Sequence, residues 1–196
     1  MLGRQAKVIA NGDFKRLLDH VSRSRNPERD RCIVLLSFKA GLRVKEIATL
    51  KWSMVTDASG QIGDEIALVN GASKGKKGGR IIPMNPMLHA ALSALMAVVP
   101  AKVGHDRPVI YSERNRGFSA ETMRLWWHNT YARLGLRGAS SHSGRRTFIT
   151  QAARKASEAG GSLRDVQQLA GHASLTTTQR YIDGSTDVKR KLVGLI

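Results

Sequence analysis

Two short stretches carry side chains able to act on a phosphate. In SHSGRRTF, His142 and Arg145 stand three residues apart, and on a helix that spacing puts both on one face. They can then converge on one phosphate, since a guanidinium donates two parallel hydrogen bonds and stays charged at any working pH. In GHASLTTTQRYID, His172 and Tyr181 are nine residues apart. On one continuous helix, nine steps of about 100° set them on opposite faces, where they could not share a site. A break is written between them, however: Gly171 suits a helix end and Ser174 suits the cap of a new helix from Leu175. Thr176, Thr177 and Thr178 are weak helix formers, so Tyr181 is expected on a loosely held segment, as suits a nucleophile that must be positioned. Taken alone, such a tyrosine is more often a packing residue.

The charge balance says what these groups would meet. Lys and Arg number 32 against 15 Asp and Glu, a net charge of +17. A surplus this large favours a polyanionic partner, with nucleic acid first. Anionic membrane is the other candidate, but no apolar run approaches the roughly 20 residues of a spanning helix, and the start MLGRQAKVIANGDF lacks an apolar core of signal-peptide length. A soluble, intracellular protein is expected. The one cysteine, Cys32, lies in the apolar run CIVLLSF and reads as a buried, inert thiol.

The elements that must hold the reactive groups are mostly helical. Phe14, Leu17, Leu18 and Val21 follow an Asn11 or Asp13 cap at helical spacing, and a more uniformly apolar, central helix follows NPERD and stops at Gly41. A third segment turns Leu42, Ile47 and Leu50 inward. Between Trp52 and Met84, glycines punctuate the β-prone runs EIALV and RIIPM, which read as a small antiparallel sheet whose lysine-rich turn, NGASKGKKGG, is exposed. Asn85 and Pro86 open a helix that Pro100 closes. PVIYS, with Tyr111, reads as a short strand, and Met123, Trp126, Trp127 and Ala132 as the buried face of a further helix. Short helices separated by glycine or serine complete an α+β, mainly helical domain over residues 1–196 with one small antiparallel sheet.

AGLRVKEI, HSGRRTF and LAGHASLTTTQRYI resemble, in order and spacing, the boxes of the tyrosine recombinases, or phage integrase family, and the resemblance runs from about residue 10 to Tyr181. It implies the tyrosine recombinase catalytic-domain fold and a site-specific DNA recombinase or integrase. Tyr181 would attack a DNA phosphodiester to give a 3′-phosphotyrosyl link and a free 5′-hydroxyl. Arg43 and Arg145 would hold the non-bridging oxygens, with His142 and His172 assisting by hydrogen bonding and proton movement. Lys74 is the best match to the family's general acid, with Lys76 the alternative. Glu46 is expected to orient Arg43 or a neighbouring helix through an ion pair, and Lys76, Lys77, Arg80 and Arg146 to contact DNA.

No cofactor is implied, neither metal nor ATP, and no acidic, His or Cys cluster has metal-ligand spacing. The partners implied are double-stranded DNA and further copies of the chain as a tetramer on DNA, with an accessory DNA-binding protein as a further candidate. A cytoplasmic, nucleoid-associated location in a bacterial or phage-encoded system follows from the same resemblance. Residues 185–196, with Val188, Leu192 and Leu195 at helical spacing, are expected to pack internally or to contact a neighbouring protomer. Two departures from the family pattern stand out: Gly144 replaces a usual leucine, and Arg146 a frequent histidine. Arg43 also comes so early that no N-terminal DNA-gripping domain is expected, as in short recombinases that invert promoter segments in fimbrial phase variation. The competing functions on this fold are a non-cleaving DNA-binding regulator and a topoisomerase-like nicking and rejoining enzyme.

Overall fold

A computed structural model describes residues 6–69, 79–99, 104, 106–113, 116–181 and 193–194. Lys74, Lys76 and Lys77, Pro100, His105 and nearly all of the 185–196 tail lie outside those residues.

The centre of the molecule is α2 (Pro27–Lys39), which starts with Pro27 in the first turn, where a missing N–H costs nothing. Its run from Cys32 to Leu36 is wholly buried and Phe38 nearly so, as expected of a helix apolar on every side. Helices α1 (Asn11–Val21), α3 (Val44–Thr49), α4 (Pro86–Val98) and α6 (Ser143–Lys155) all pack on it. Gly41 ends the run in a left-handed turn, φ +64°, and a Cβ there would lie 2.3 Å from the Phe148 ring. The α1 start is one residue earlier than expected: Ala10 is the cap, without a side-chain bond, because Asn11 and Asp13 already lie in the first turn. Asp13 there still complements the helix dipole.

Strands β1 (Glu65–Leu68) and β2 (Arg80–Pro83) pair antiparallel, with Ile66 opposite Ile82. Ile66, Leu68 and Ile82 face the core while Ile81 points outward, the alternation a two-stranded sheet on a helical body requires. Asn85 caps α4 by accepting from the Met87 amide at 3.0 Å.

Two expectations change beyond this point. PVIYS forms no strand of its own; Pro108 and Tyr111 make isolated bridges to Lys51 and Gly117 while Val109 and Ile110 fill the core. On α5 (Ala120–Arg133), Ala132 is exposed, and the buried face is Met123, Trp127, Thr130 and Tyr131, with Trp126 half-buried against Trp127. The aromatic Tyr131 took the inward position because its ring stacks on Trp127 at 5.1 Å.

A second, smaller apolar cluster joins α6 to α7 (Leu163–Ala170) through Ile149, Val166 and Ala170, with Tyr181 packed at its edge. The close approach of α6 to α2 explains Gly144: a Cβ there would sit 2.3 Å from Ser37 Oγ and 2.7 Å from the Phe38 ring. The helix face leaves no room for a leucine at this position.

Candidate active site

The site is assembled around the C-terminal end of α7. Ser162 and Asp165 cap the start of that helix, and Gly171 ends it in a left-handed conformation, φ +59°, ψ +47°. The last carbonyls of a helix lack intrahelical partners and carry its negative pole. Three successive ones are each taken by a different arginine. Arg80 Nε donates to Leu169 O at 3.1 Å, Arg145 Nη2 to Ala170 O at 2.6 Å, and Arg43 Nη2 to Gly171 O at 3.1 Å.

Arg145 is 5% exposed, and its Nη1 also donates to Gly41 O at 2.6 Å, so α6 and the α2–α3 turn fix its plane. Burial, with the nearby Arg43 charge, lowers its pKa to about 10, leaving it protonated at neutral pH. Arg43 caps α3 and its guanidinium remains one-third exposed, 34%, facing the cleft. Glu46 holds it from below: Oε1 accepts from Arg43 Nη1 at 2.9 Å and Oε2 from the Arg43 amide at 2.7 Å. The expected orienting pair is therefore formed, and Glu46 is 1% exposed. Burial pushes its carboxyl up, yet the bonds and charges of Arg80 and Arg43 together carry it below the usual carboxylate range.

Arg80 differs from expectation. Read from sequence as a DNA contact, it turns inward with 9% of its side chain exposed and donates Nη1 and Nη2 to the two Glu46 oxygens at 2.8 and 2.9 Å. A buried carboxylate 34 residues away, invisible to local pattern, captures it.

The chain does fold back after Gly171. Ser174 accepts from the Thr176 amide at 3.2 Å to cap α8 (Leu175–Gln179), and Tyr181 follows directly after its C-terminal cap. His172 and Tyr181 thereby come ring to ring, centroids 5.6 Å apart. The segment is more firmly held than its threonines suggested: Thr178 is fully buried and its hydroxyl bonds His172 Nδ1 at 2.9 Å, a residue for which helix propensity gave no signal. Desolvation first, then the charges of Arg145, Arg43 and Arg80, lower the His172 pKa to about 4, so the imidazole is neutral at physiological pH. His142 lies just ahead of α6 as its cap residue, and desolvation with Arg145 and Arg124 lowers its pKa too. Arg146 lays its guanidinium over the Tyr181 ring, 5.9 Å from the centroid.

Arg43, His142, Arg145, Arg146, His172 and Tyr181 line one cleft of about 490 Å³. Ser140, Thr177 and Arg180 line it as well, residues to which the sequence assigned no part in the site. Among the described residues no group of three or more His, Cys, Asp or Glu side chains is placed to hold a metal, and no helix is long and apolar enough to cross a membrane.

The profile of the phage integrase family matches residues 7–187. The chain belongs to the phage integrase family. Relatives within that family include the tyrosine recombinase XerC of Rhodospirillum centenum, 33% identical over 156 residues, and the tyrosine recombinase XerA of Thermococcus kodakarensis, 30% identical over 187. These alignments cover 79% and 94% of this chain but 42% and 61% of the relatives, so the chain spans about half the length of the family members it matches. Among solved structures, the crystal structure of XerA recombinase superposes with a TM-score of 0.72 at 24% identity, over 96% of this chain and 64% of that one. XerH recombinase, bound to a palindromic difH substrate after cleavage, gives 0.73 at 19% identity, over 97% and 53%. At such identities the likeness is one of fold, the mainly helical tyrosine recombinase catalytic-domain fold with its small antiparallel sheet.

Proposed function

We propose that this chain is the catalytic domain of a site-specific DNA recombinase that cleaves and rejoins double-stranded DNA through Tyr181. The observation that carries the reading is the convergence on one cleft of Arg43 from the cap of α3, Arg145 from α6, His172 from the turn after α7 and Tyr181 from the chain just after α8. The phenolic oxygen attacks the scissile phosphorus, the P–O5′ bond breaks, and the phosphate remains on Tyr181 as a 3′-phosphotyrosyl ester. The phenolic proton passes to His172 or His142, which line the same cleft and whose pKa values are both lowered. Arg43 and Arg145 neutralise the equatorial oxygens as charge builds in the pentacoordinate transition state. The departing 5′-oxygen takes its proton from Lys74, or from Lys76 as the alternative; both lie outside the described residues. Attack by a 5′-hydroxyl reverses these steps and frees the tyrosine. One ester replaces another in each step, so rejoining draws on no ATP.

Two structural relatives support DNA as the substrate: XerH was solved with its difH substrate, and a lambda integrase dimer was solved bound to a COC′ core site. For productive exchange the proposal further takes a tetramer of this domain on two sites, with residues 185–196 reaching a neighbouring protomer and an accessory DNA-binding protein as a further partner. Removal of residues 185–196 is expected to reduce oligomer size on DNA.

The deciding experiment incubates wild-type protein and Tyr181→Phe with nicked DNA fragments from its flanking genomic sequence. A denaturant-resistant adduct, mapped by mass spectrometry to Tyr181 and absent from the variant, supports the proposal. Salt-sensitive DNA binding with no adduct on any fragment replaces it with a non-cleaving regulator. Adduct formation with supercoil relaxation, but no exchange between sites, replaces it with a topoisomerase-like enzyme.

A further inference from the structure

The three arginines on the end of α7 are not equivalent. Arg43 and Arg145 open onto the cleft, whereas Arg80 lies behind them and does not line it. Its guanidinium joins three elements: it stands on β2, both terminal nitrogens grip Glu46 of α3, and Nε holds Leu169 O at the end of α7. Glu46 passes the constraint to Arg43 at 2.9 Å, and Leu169 O lies two residues before the Gly171 carbonyl that Arg43 also holds. Arg80 also occupies the space beside Gly171, where a Cβ would meet Nη1 at 2.9 Å. The turn that delivers His172 is thus shaped against Arg80, and only glycine fits both the left-handed backbone and that contact.

We infer that Arg80 is a positioning residue for the reaction, fixing Arg43 through Glu46 and His172 through the α7 terminus, and is not a DNA contact. The inference rests on the proposed recombinase chemistry for its kinetic consequence, but its structural consequence is separate. A phosphate contact would lower DNA affinity and reduce the salt dependence of binding by about one unit of slope. A positioning residue leaves both nearly unchanged while slowing the bond-making step, since small misplacements of a phosphate-holding group cost roughly ten- to hundred-fold.

The test compares wild-type protein with Arg80→Lys, Arg80→Met, Glu46→Gln and the Arg80→Met/Glu46→Gln double variant. Three readouts are used: DNA affinity against salt, single-turnover adduct formation at saturating DNA, and the NMR titration of His172. Expected are unchanged salt slopes, adduct rates reduced roughly ten- to hundred-fold in Arg80→Lys and Arg80→Met alike, and a double variant no slower than the worse single one. Lysine keeps the charge but cannot grip both Glu46 oxygens and Leu169 O together. The His172 midpoint is expected to rise in Arg80→Met. Full activity in Arg80→Lys, a lowered salt slope, or an unmoved His172 midpoint in folded Arg80→Met overturns the inference. If Arg80→Met does not fold, Arg80→Lys and Glu46→Gln decide by rate and salt slope. If wild-type protein forms no adduct, the recombinase proposal fails by itself, and the titration and the salt slopes still decide the place of Arg80.

Discussion

His172 and Tyr181 lie nearly face to face, their rings inclined by 24° with centroids 5.6 Å apart. Nine residues of unbroken helix would have kept them on opposite sides. The left-handed Gly171 and the Ser174 cap produce the reversal, and the buried Thr178 hydroxyl at 2.9 Å from Nδ1 sets the rotation of the imidazole. Thr178→Val keeps the shape of this side chain and removes only that bond. A single hydrogen bond contributes about 1 kcal/mol, so single-turnover adduct formation should slow roughly five-fold while DNA affinity stays constant. An unchanged rate would mean that the bond does not orient the ring.

Glu46 is nearly inaccessible to water and is paired with two guanidinium groups. Removing one side of a buried pair leaves the other charges uncompensated, at a cost of about 3–5 kcal/mol. Chemical denaturation of Glu46→Ala should show a loss of that size, and Glu46→Gln a smaller one because the amide keeps one acceptor. A loss below about 1 kcal/mol in both would show that the cluster contributes little to the fold.

Gly144→Leu, which installs the residue that the family resemblance leads one to expect, should be destabilising here. Even its Cβ would overlap Ser37 Oγ and the Phe38 ring, both on the buried face of α2. Overpacking of this kind costs about 1–3 kcal/mol against the roughly 1 kcal/mol that replacing a helical glycine returns, so a net loss of up to about 2 kcal/mol is expected. Urea denaturation measures the difference, and a stabilised variant would mean that α6 can move off α2.

Stability should fall as the pH is lowered from about 6.5 to about 4. In the folded state His172 has a pKa lowered from 6.5 to about 4, so within that window the unfolded chain binds the extra proton. The contribution is fully present above 6.5 and is lost as pH falls. His172→Gln should flatten this part of the pH–stability curve; an unaltered slope would assign it to other groups.

The helices of this fold were legible because their chemistry is local. The apolar run of α2, the Asn85–Pro86 start of α4 and the Gly171 stop each write one boundary into neighbouring residues. The reactive groups were legible as ordered boxes. Less legible were features set by distant partners. Arg80 sits beside a lysine-rich run and reads as surface charge until Glu46 is placed against it. Ala132 and Tyr131 compete for the same helix face, and only the position of Trp127 decides between them. PVIYS is β-prone, but in this packing only isolated bridges to Lys51 and Gly117 form, so its apolar residues are buried without a ladder.

The three arginines gathered at one helix end make salt act in opposite directions on folding and on DNA. Arg43 and Arg80 each press on Arg145 through like-charge repulsion, one reason its proton is held less tightly. Ions screen that repulsion together with the wider effect of a +17 chain, so moderate salt should raise the melting temperature of the free protein. The same ions would compete with phosphate and weaken the DNA binding proposed above. Conditions chosen to keep the protein in solution will therefore be those in which the proposed DNA complex is hardest to see, and a polyanion should substitute for salt as a stabiliser by occupying the site itself.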